Sequence, residues 1–149
     1  MSNLENLEKK INSELGTKIK NSEIRHDQIY ITISSEDLSN VTTFLKTNIN
    51  TKFKQLIDIT AVDYPENQNR FKMVYLFLSH ELNQRIVLHF FINENQQVLS
   101  LTKIFPSANW MEREIFDMYG IKFTEHPDLR RILTDYGFDG HPLRKDFPL

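Results

Sequence analysis

An unusual cluster of charged side chains lies in ANWMEREIFDMYG, Ala108 to Gly120, where Glu112, Arg113, Glu114 and Asp117 fall within six positions. Paired carboxylates could do acid–base chemistry if they converged on one bond. Glu112 and Glu114 are two apart, and on a helix that spacing turns them away from each other. Arg113 and Asp117 are four apart, so they share a face and can pair. Glu114 and Asp117 are neighbours of like charge. Two readings are open. One is a solvated helix face carrying a single ion pair. The other is that Glu114 and Asp117 await a cation, most simply an arginine from downstream or from a partner.

The remaining chemistry is sparse. The histidines are His26, His80, His89, His126 and His141, and no two stand in an HExxH arrangement. His89 lies within a strand pattern and reads as a packed, hydrogen-bonded residue. His126–Pro127 and His141–Pro142 are two similar histidine–proline steps, better suited to turns or interfaces than to a metal. The absence of cysteine excludes disulfides, thiolate zinc sites and cysteine-ligated clusters. Four glycines give no phosphate-cradling loop, and no serine sits in a nucleophile elbow. A stand-alone hydrolase built on Glu114 and Asp117 would lack a nucleophile, metal ligands and convergent partners. A net charge of −2 argues against a broad basic nucleic-acid surface. The start, MSNLENLEKK, has no apolar signal core, and MVYLFL and IVLHFFI are too short to span a bilayer. The protein is expected to be soluble or peripheral.

The cluster needs a helix to position it. Pro106 and Ser107 break the preceding structure. Asn109 is placed to cap, with Glu112 reaching back to the cap amide. Met111, Ile115, Met118 and Tyr119 form an apolar stripe, and Gly120 supplies a left-handed exit. Upstream, Ser2 and Glu5 suggest a capping box, followed by Leu4, Leu7, Ile11 and Leu15 at helical spacing and a stop at Gly16. A short strand between Lys18 and Arg25 pairs with one carrying Ile29, Ile31 and Ile33. Ser34 or Ser35 caps a second helix with Leu38, Val41, Leu45 and Ile49 on its buried stripe. Strands follow over Leu56–Asp63, Phe71–Ser79 and Arg85–Ile92, joined by short turns that favour antiparallel pairing. Phe71–Ser79 is apolar on both faces and reads as central. A helical turn near Leu101–Phe105 leads into the helix of the acidic cluster. The expected fold is α+β: a two-layer domain over 1–119, a mixed or antiparallel sheet packed by helices, then an extended C-terminal strap over 120–149.

The strap holds three of the four glycines and three of the five prolines, so sustained helix is blocked. It is dense in both charges and also carries Ile121, Phe123, Leu129, Ile132, Leu133, Tyr136, Phe138, Leu143, Phe147 and Leu149. It either lies on another protein as a docking element or folds back on its own sheet.

WMEREIFDMYGIKFTEHPDLRRIL followed by GHPLRKDFPL resembles the signature of the thirty-kilodalton (C) subunit of the proton-translocating NADH:quinone oxidoreductase, respiratory complex I. The motif is specific, and the inferred element order upstream is compatible with that family's domain. The resemblance implies a non-catalytic structural component of the hydrophilic arm, on the cytoplasmic side of the inner membrane in bacteria. FMN and iron–sulfur clusters would be on other components of the complex, with no cofactor on this chain. Its partners would be the quinone-site (D) subunit and the terminal-cluster (B) subunit. The matching positions are Glu112, Arg113, Glu114, Asp117, Gly120, His126, Pro127, Asp128, Arg130, Arg131, His141, Pro142, Arg144, Lys145 and Asp146, carried over as structural and docking residues. Two departures stand out. Many relatives have glycine where Glu125 precedes the first histidine–proline step, and many continue past FPL. The competing resemblance is to the homologous small subunit of a membrane-bound nickel–iron hydrogenase or formate hydrogenlyase.

Overall fold

A computed structural model of the chain describes residues 2–129 and 140–145. Helix α1 spans Asn3–Leu15. Its start is fixed by the Ser2 hydroxyl, which accepts the Glu5 N–H at 3.1 Å, and Gly16 ends it at φ 55°. Leu4, Leu7, Ile11 and Leu15 are the buried row that the spacing implied. Strands β1 (Asn21–Arg25) and β2 (Gln28–Thr32) pair antiparallel, with Arg25 opposite Gln28. The two-residue turn between them has His26 at φ 50° and Asp27 at φ 59°. Positive φ at both central positions is the turn whose twist suits a hairpin.

Helix α2 covers Leu38–Thr47, entered through a short 3-10 turn, Ser35–Asp37, rather than directly from a serine cap. Leu38, Val41 and Leu45 are buried as expected, but Ile49 is 77% exposed. The helix has ended by then. Thr51 takes the inward place, its hydroxyl donating to the Leu45 carbonyl at 2.9 Å.

Strands β3 (Gln55–Asp63), β4 (Phe71–Ser79) and β5 (Gln84–Ile92) complete a five-stranded sheet in the order β1-β2-β5-β4-β3. The β3–β4 and β4–β5 links are far shorter than the crossover of about a dozen residues that a parallel pair needs, so both pairs are antiparallel. β2 and β5 run parallel, with Ile29 against Ile86 and Ile31 against Leu88. The sheet is therefore mixed, and the fold is α+β. Alternation along β4 is strict: Phe71, Met73, Tyr75 and Phe77 are fully buried, while Lys72, Val74, Leu76 and Leu78 are half-exposed. His89 in β5 is hydrogen-bonded to Thr32 at 2.9 Å.

Two short strands have no counterpart in the sequence pattern. β6 (Val98–Leu99) and β7 (Phe123–Thr124) pair parallel, and helix α3 (Ala108–Tyr119) lies between them in the chain. Two residues each are too few for a periodic signal. By contact density the described residues divide into two compact units, Met1–Asp58 with Val74–Phe90, and Ile59–Met73 with Phe91–Leu149. α3, β6 and β7 belong to the second.

His26 and Asp27 occupy backbone positions where asparagine and glycine are far better tolerated. Replacing them together, His26→Asn with Asp27→Gly, should raise the unfolding free energy by about 0.5–1 kcal/mol, read from the urea midpoint.

Candidate structural and docking site

Helix α3 begins after Ser107, with no side-chain cap bond; Asn109 sits inside the helix and is not its cap. Glu112 does not reach back to the helix start. It points inward, fully buried, where one carboxyl oxygen accepts the Ser100 hydroxyl at 2.6 Å and the other the Leu101 N–H at 2.8 Å. The expected apolar stripe is corrected in the same way. Ile115 is buried, but Met111, Met118 and Tyr119 are not all inward, and Glu112 and Asp117 are the fully buried residues of that helix along with Ala108. An acidic residue satisfied by protein donors can occupy an inward position that periodicity reserves for apolar side chains. Burial pushes the Glu112 carboxyl up to about 7, against the lowering by the Ser100 and Leu101 hydrogen bonds.

The outward residues are held differently. Glu114 accepts the Trp110 indole N–H at 2.6 Å, and the Arg113 guanidinium lies 5.5 Å from the Trp110 ring centroid. Trp110 itself is 52% exposed. The face read as a solvated charge array is thus a fixed aromatic ring flanked by one cation and one anion.

The last four carbonyls of a helix have no partner within it. In α3 all four find one. Gly120, at φ 77°, turns its N–H back to the Phe116 carbonyl at 2.9 Å. The other three donors come from GHPLR, more than twenty positions downstream. His141 Nδ1–H donates to the Asp117 carbonyl at 2.8 Å, the Leu143 N–H to Met118 at 2.9 Å, and Arg144 Nε–H to Tyr119 at 2.6 Å. The helix dipole favours cationic donors at this end. His141 also explains Gly120 a second time. A Cβ there would stand 2.7 Å from His141 Cδ2.

The same segment is tied to the foot of the β3–β4 hairpin. Asp63 accepts Arg70 Nε–H at 2.6 Å, Arg70 Nη2–H at 2.8 Å and the Lys145 N–H at 2.9 Å. The guanidinium groups of Arg70 and Arg144 each lie 5.2 Å from the Phe71 ring centroid, and Glu94 stands 3.5 Å from one and 3.6 Å from the other. The Arg70 hydrogen bonds hold the Asp63 carboxyl below its ordinary value despite burial. Burial, with the Asp63 charge nearby, raises the Tyr119 hydroxyl.

The first histidine–proline step sits at the other end of α3. His126 Nε2–H donates to the Asn109 carbonyl at 3.0 Å and Nδ1 accepts the Asp128 N–H at 2.9 Å. Glu125 before it has φ 61°, a left-handed backbone. That geometry accounts for glycine at this position in the pattern the sequence resembles. Pro127 is exposed, Pro142 is half-buried, and Lys145 is exposed. Arg130, Arg131 and Asp146 lie outside the described residues. The Asp63–Arg70 tie was invisible in sequence because it depends on the hairpin's register; Asp63 and Arg70 bracketing YPENQN were the available signal.

Gly120→Ala should cost about 2–4 kcal/mol of stability, from left-handed strain plus the clash, and adding His141→Ala should return part of it in a double-mutant cycle. Asp63→Asn should cost roughly 3 kcal/mol at pH 7 by stranding buried Arg70. The Asp63 carboxyl is lowered on folding, so its contribution is present above its ordinary value of 3.8 and lost as pH falls through the lower folded value. Urea titrations of wild type and variant should therefore converge in acid.

The family model described as Respiratory-chain NADH dehydrogenase, 30 Kd subunit, matches residues 31–149. The C subunit of NADH-quinone oxidoreductase from Chelativorans sp. is 48% identical over 139 residues, covering 93% of this chain and 70% of that protein. The protein of the same name from Rhodopseudomonas palustris is 48% identical over 149 residues, covering 100% of this chain and 75% of the relative. The one from Dinoroseobacter shibae is 54% identical over 127 residues, covering 85% of this chain and 59% of the relative. Among solved structures, the trypsin-resistant fragment (1-134) of Nqo5 superposes with a TM-score of 0.70 at 23% identity, over 85% of this chain and 98% of that one. A chain of an archaeal membrane-bound sulfane sulfur reductase superposes with a TM-score of 0.82 at 22% identity, over 97% of this chain and 85% of that one. These two share the fold. By the family match and the identity of its relatives, the chain belongs to the family of the 30-kilodalton subunit of respiratory-chain NADH dehydrogenase.

Proposed function

We propose that this chain serves as the thirty-kilodalton (C) subunit of an NADH-quinone oxidoreductase and contributes assembly rather than electron chemistry. The observation that carries the adhesive reading is the use of its charged groups. Asp63, Arg70, Arg144, His126 and His141 are engaged in ties between segments. Glu112 is buried and bonded to backbone and serine. Groups used this way are not poised toward a substrate. In this reading FMN and the iron–sulfur clusters belong to other components of the complex. The contacts are with the quinone-site (D) subunit and the terminal-cluster (B) subunit. The chain meets the membrane only through the complex, on the cytoplasmic side in bacteria. Among the described residues no helix is long and apolar enough to cross a membrane.

The docking surface has two proposed parts. One is the outward row of α3, where Trp110 is half-exposed yet held by Glu114 and Arg113. Tryptophan and arginine in a preset geometry are the groups that most often dominate binding energy. The other is the segment over 120–149, including Arg130, Arg131 and Asp146, anchored at its described positions to α3 and Asp63. The identity to quinone-enzyme relatives favours this assignment over the hydrogenase-type alternative.

Purification of the tagged chain from cells expressing the neighbouring genes, with mass spectrometry of what accompanies it, should recover the quinone-site and terminal-cluster subunits. Recovery of a nickel–iron hydrogenase large subunit in their place would reverse the assignment. Trp110→Ala should reduce recovered partner at least about tenfold while leaving the melting temperature of the chain within about 2 °C of wild type.

A further inference from the structure

Glu112 and His126, which ties the 126–128 turn to α3, meet inside the protein. Both side chains are fully buried, and Glu112 Oε1 lies 3.9 Å from His126 Nε2. That distance is too long for a hydrogen bond and too short for indifference. The His126 ring is committed elsewhere: Nε2–H donates to the Asn109 carbonyl and Nδ1 accepts the Asp128 N–H. Those two bonds fix the neutral Nε2–H tautomer. Among the described residues, the donors bonded to the Glu112 carboxyl are the neutral Ser100 Oγ–H and Leu101 N–H.

The other ionisable groups near this pair, among the described residues, have these contacts. Lys103 and Glu125 pair with each other at 3.0 Å and are exposed. Arg113 and Glu114, beside Glu112 in sequence, are engaged with Trp110 on the outward face. Asp117 is a second buried acid on the same helix, and Asp128 reaches His126 through its backbone N–H.

We propose that Glu112 and His126 form a proton-controlled catch. With Glu112 neutral, its proton is shared with Ser100 Oγ, the Ser100 hydroxyl turns to Thr102 Oγ1 at 2.9 Å, and His126 stays locked on α3. With Glu112 ionised, the ring swings its Nε2–H from the Asn109 carbonyl to Glu112 Oε1. The exchange strands nothing on the helix, because the Asn109 carbonyl keeps its intrahelical N–H partner. It does pull Nδ1 away from Asp128 N–H and loosens the His126–Pro127–Asp128 turn that is bonded to the first turn of α3. No atom is transferred beyond the one proton, which goes to solvent. The elevated Glu112 carboxyl, at about 7, puts the exchange near neutral pH. The inference rests on this geometry and not on the assignment to a respiratory complex.

The test is a pH titration from about 5.5 to about 8.5 of the full chain by NMR, following the Glu112 carboxyl carbon, the His126 ring and the hydrogen exchange of the Asp128 amide. In wild type all three should change in one step near pH 7. The Asp128 protection factor, corrected for intrinsic exchange, should fall roughly three- to tenfold on the alkaline side, the loss of one hydrogen bond. Glu112→Gln keeps an acceptor for Leu101 N–H and a partner for Ser100, and should abolish the step. Ser100→Ala removes a donor to the charged form and should move the midpoint upward. A carboxyl that titrates while Asp128 stays protected, or a step that survives unchanged in Glu112→Gln, overturns the proposal.

Discussion

A helix end leaves four carbonyl oxygens without a partner in the helix, and each one left unpaired away from water costs free energy on the scale of a lost hydrogen bond. Helix α3 answers this with donors supplied from far along the chain. Phe116 is served by the Gly120 amide, Asp117 by an imidazole, Met118 by the Leu143 amide, and Tyr119 by a guanidinium. The rest of that unit depends on this termination. Gly120 must be left-handed and must lack a Cβ for His141 to approach. Pro142 helps hold the turn that brings Leu143 and Arg144 into register, and the Lys145 amide then falls within reach of Asp63. GHPLRK is thus a cap delivered from a distance. Its residue types follow from the donors required: a ring N–H, a backbone N–H and a charged fork.

The two buried acids of this unit, Asp63 and Glu112, are stabilised in opposite ways. Asp63 meets a guanidinium and a backbone amide, so its charge is favoured and burial is offset. Glu112 meets a hydroxyl and a backbone amide with no cation bonded to it by the described contacts, so burial wins. The two carboxyls therefore shift in opposite directions: Arg70 bonding outweighs burial at Asp63, and burial outweighs hydrogen bonding at Glu112. The first is held by a charged partner, and the second by neutral donors.

Most of the scaffold was legible in the sequence because its signals are local. The Ser2 cap, the row Leu4–Leu7–Ile11–Leu15 and the alternation in β4 each specify an element without help from distant residues. That β4 is an interior strand could be read because both its faces are apolar, although the central strand of the five is β5. What failed was long-range. Ile49 continued a helical spacing, but the helix had stopped at Thr47. β6 and β7 are two residues each and exist only because they pair with one another. Glu112 was placed at a helix start by its distance from Asn109, whereas its partners Ser100 and Leu101 sit in the turn before α3. Polarity in that helix predicted exposure, and buried acids satisfied by non-local donors break the rule.

The distant cap also couples parts of the chain that are far apart in sequence. Three carbonyls of the last turn of α3 gain their donors only when residues 141–144 close back over an interval of more than twenty positions. Closing that interval costs chain entropy that the local turn alone does not offset. The final turn of the helix and its distant cap are therefore coupled and form as one event.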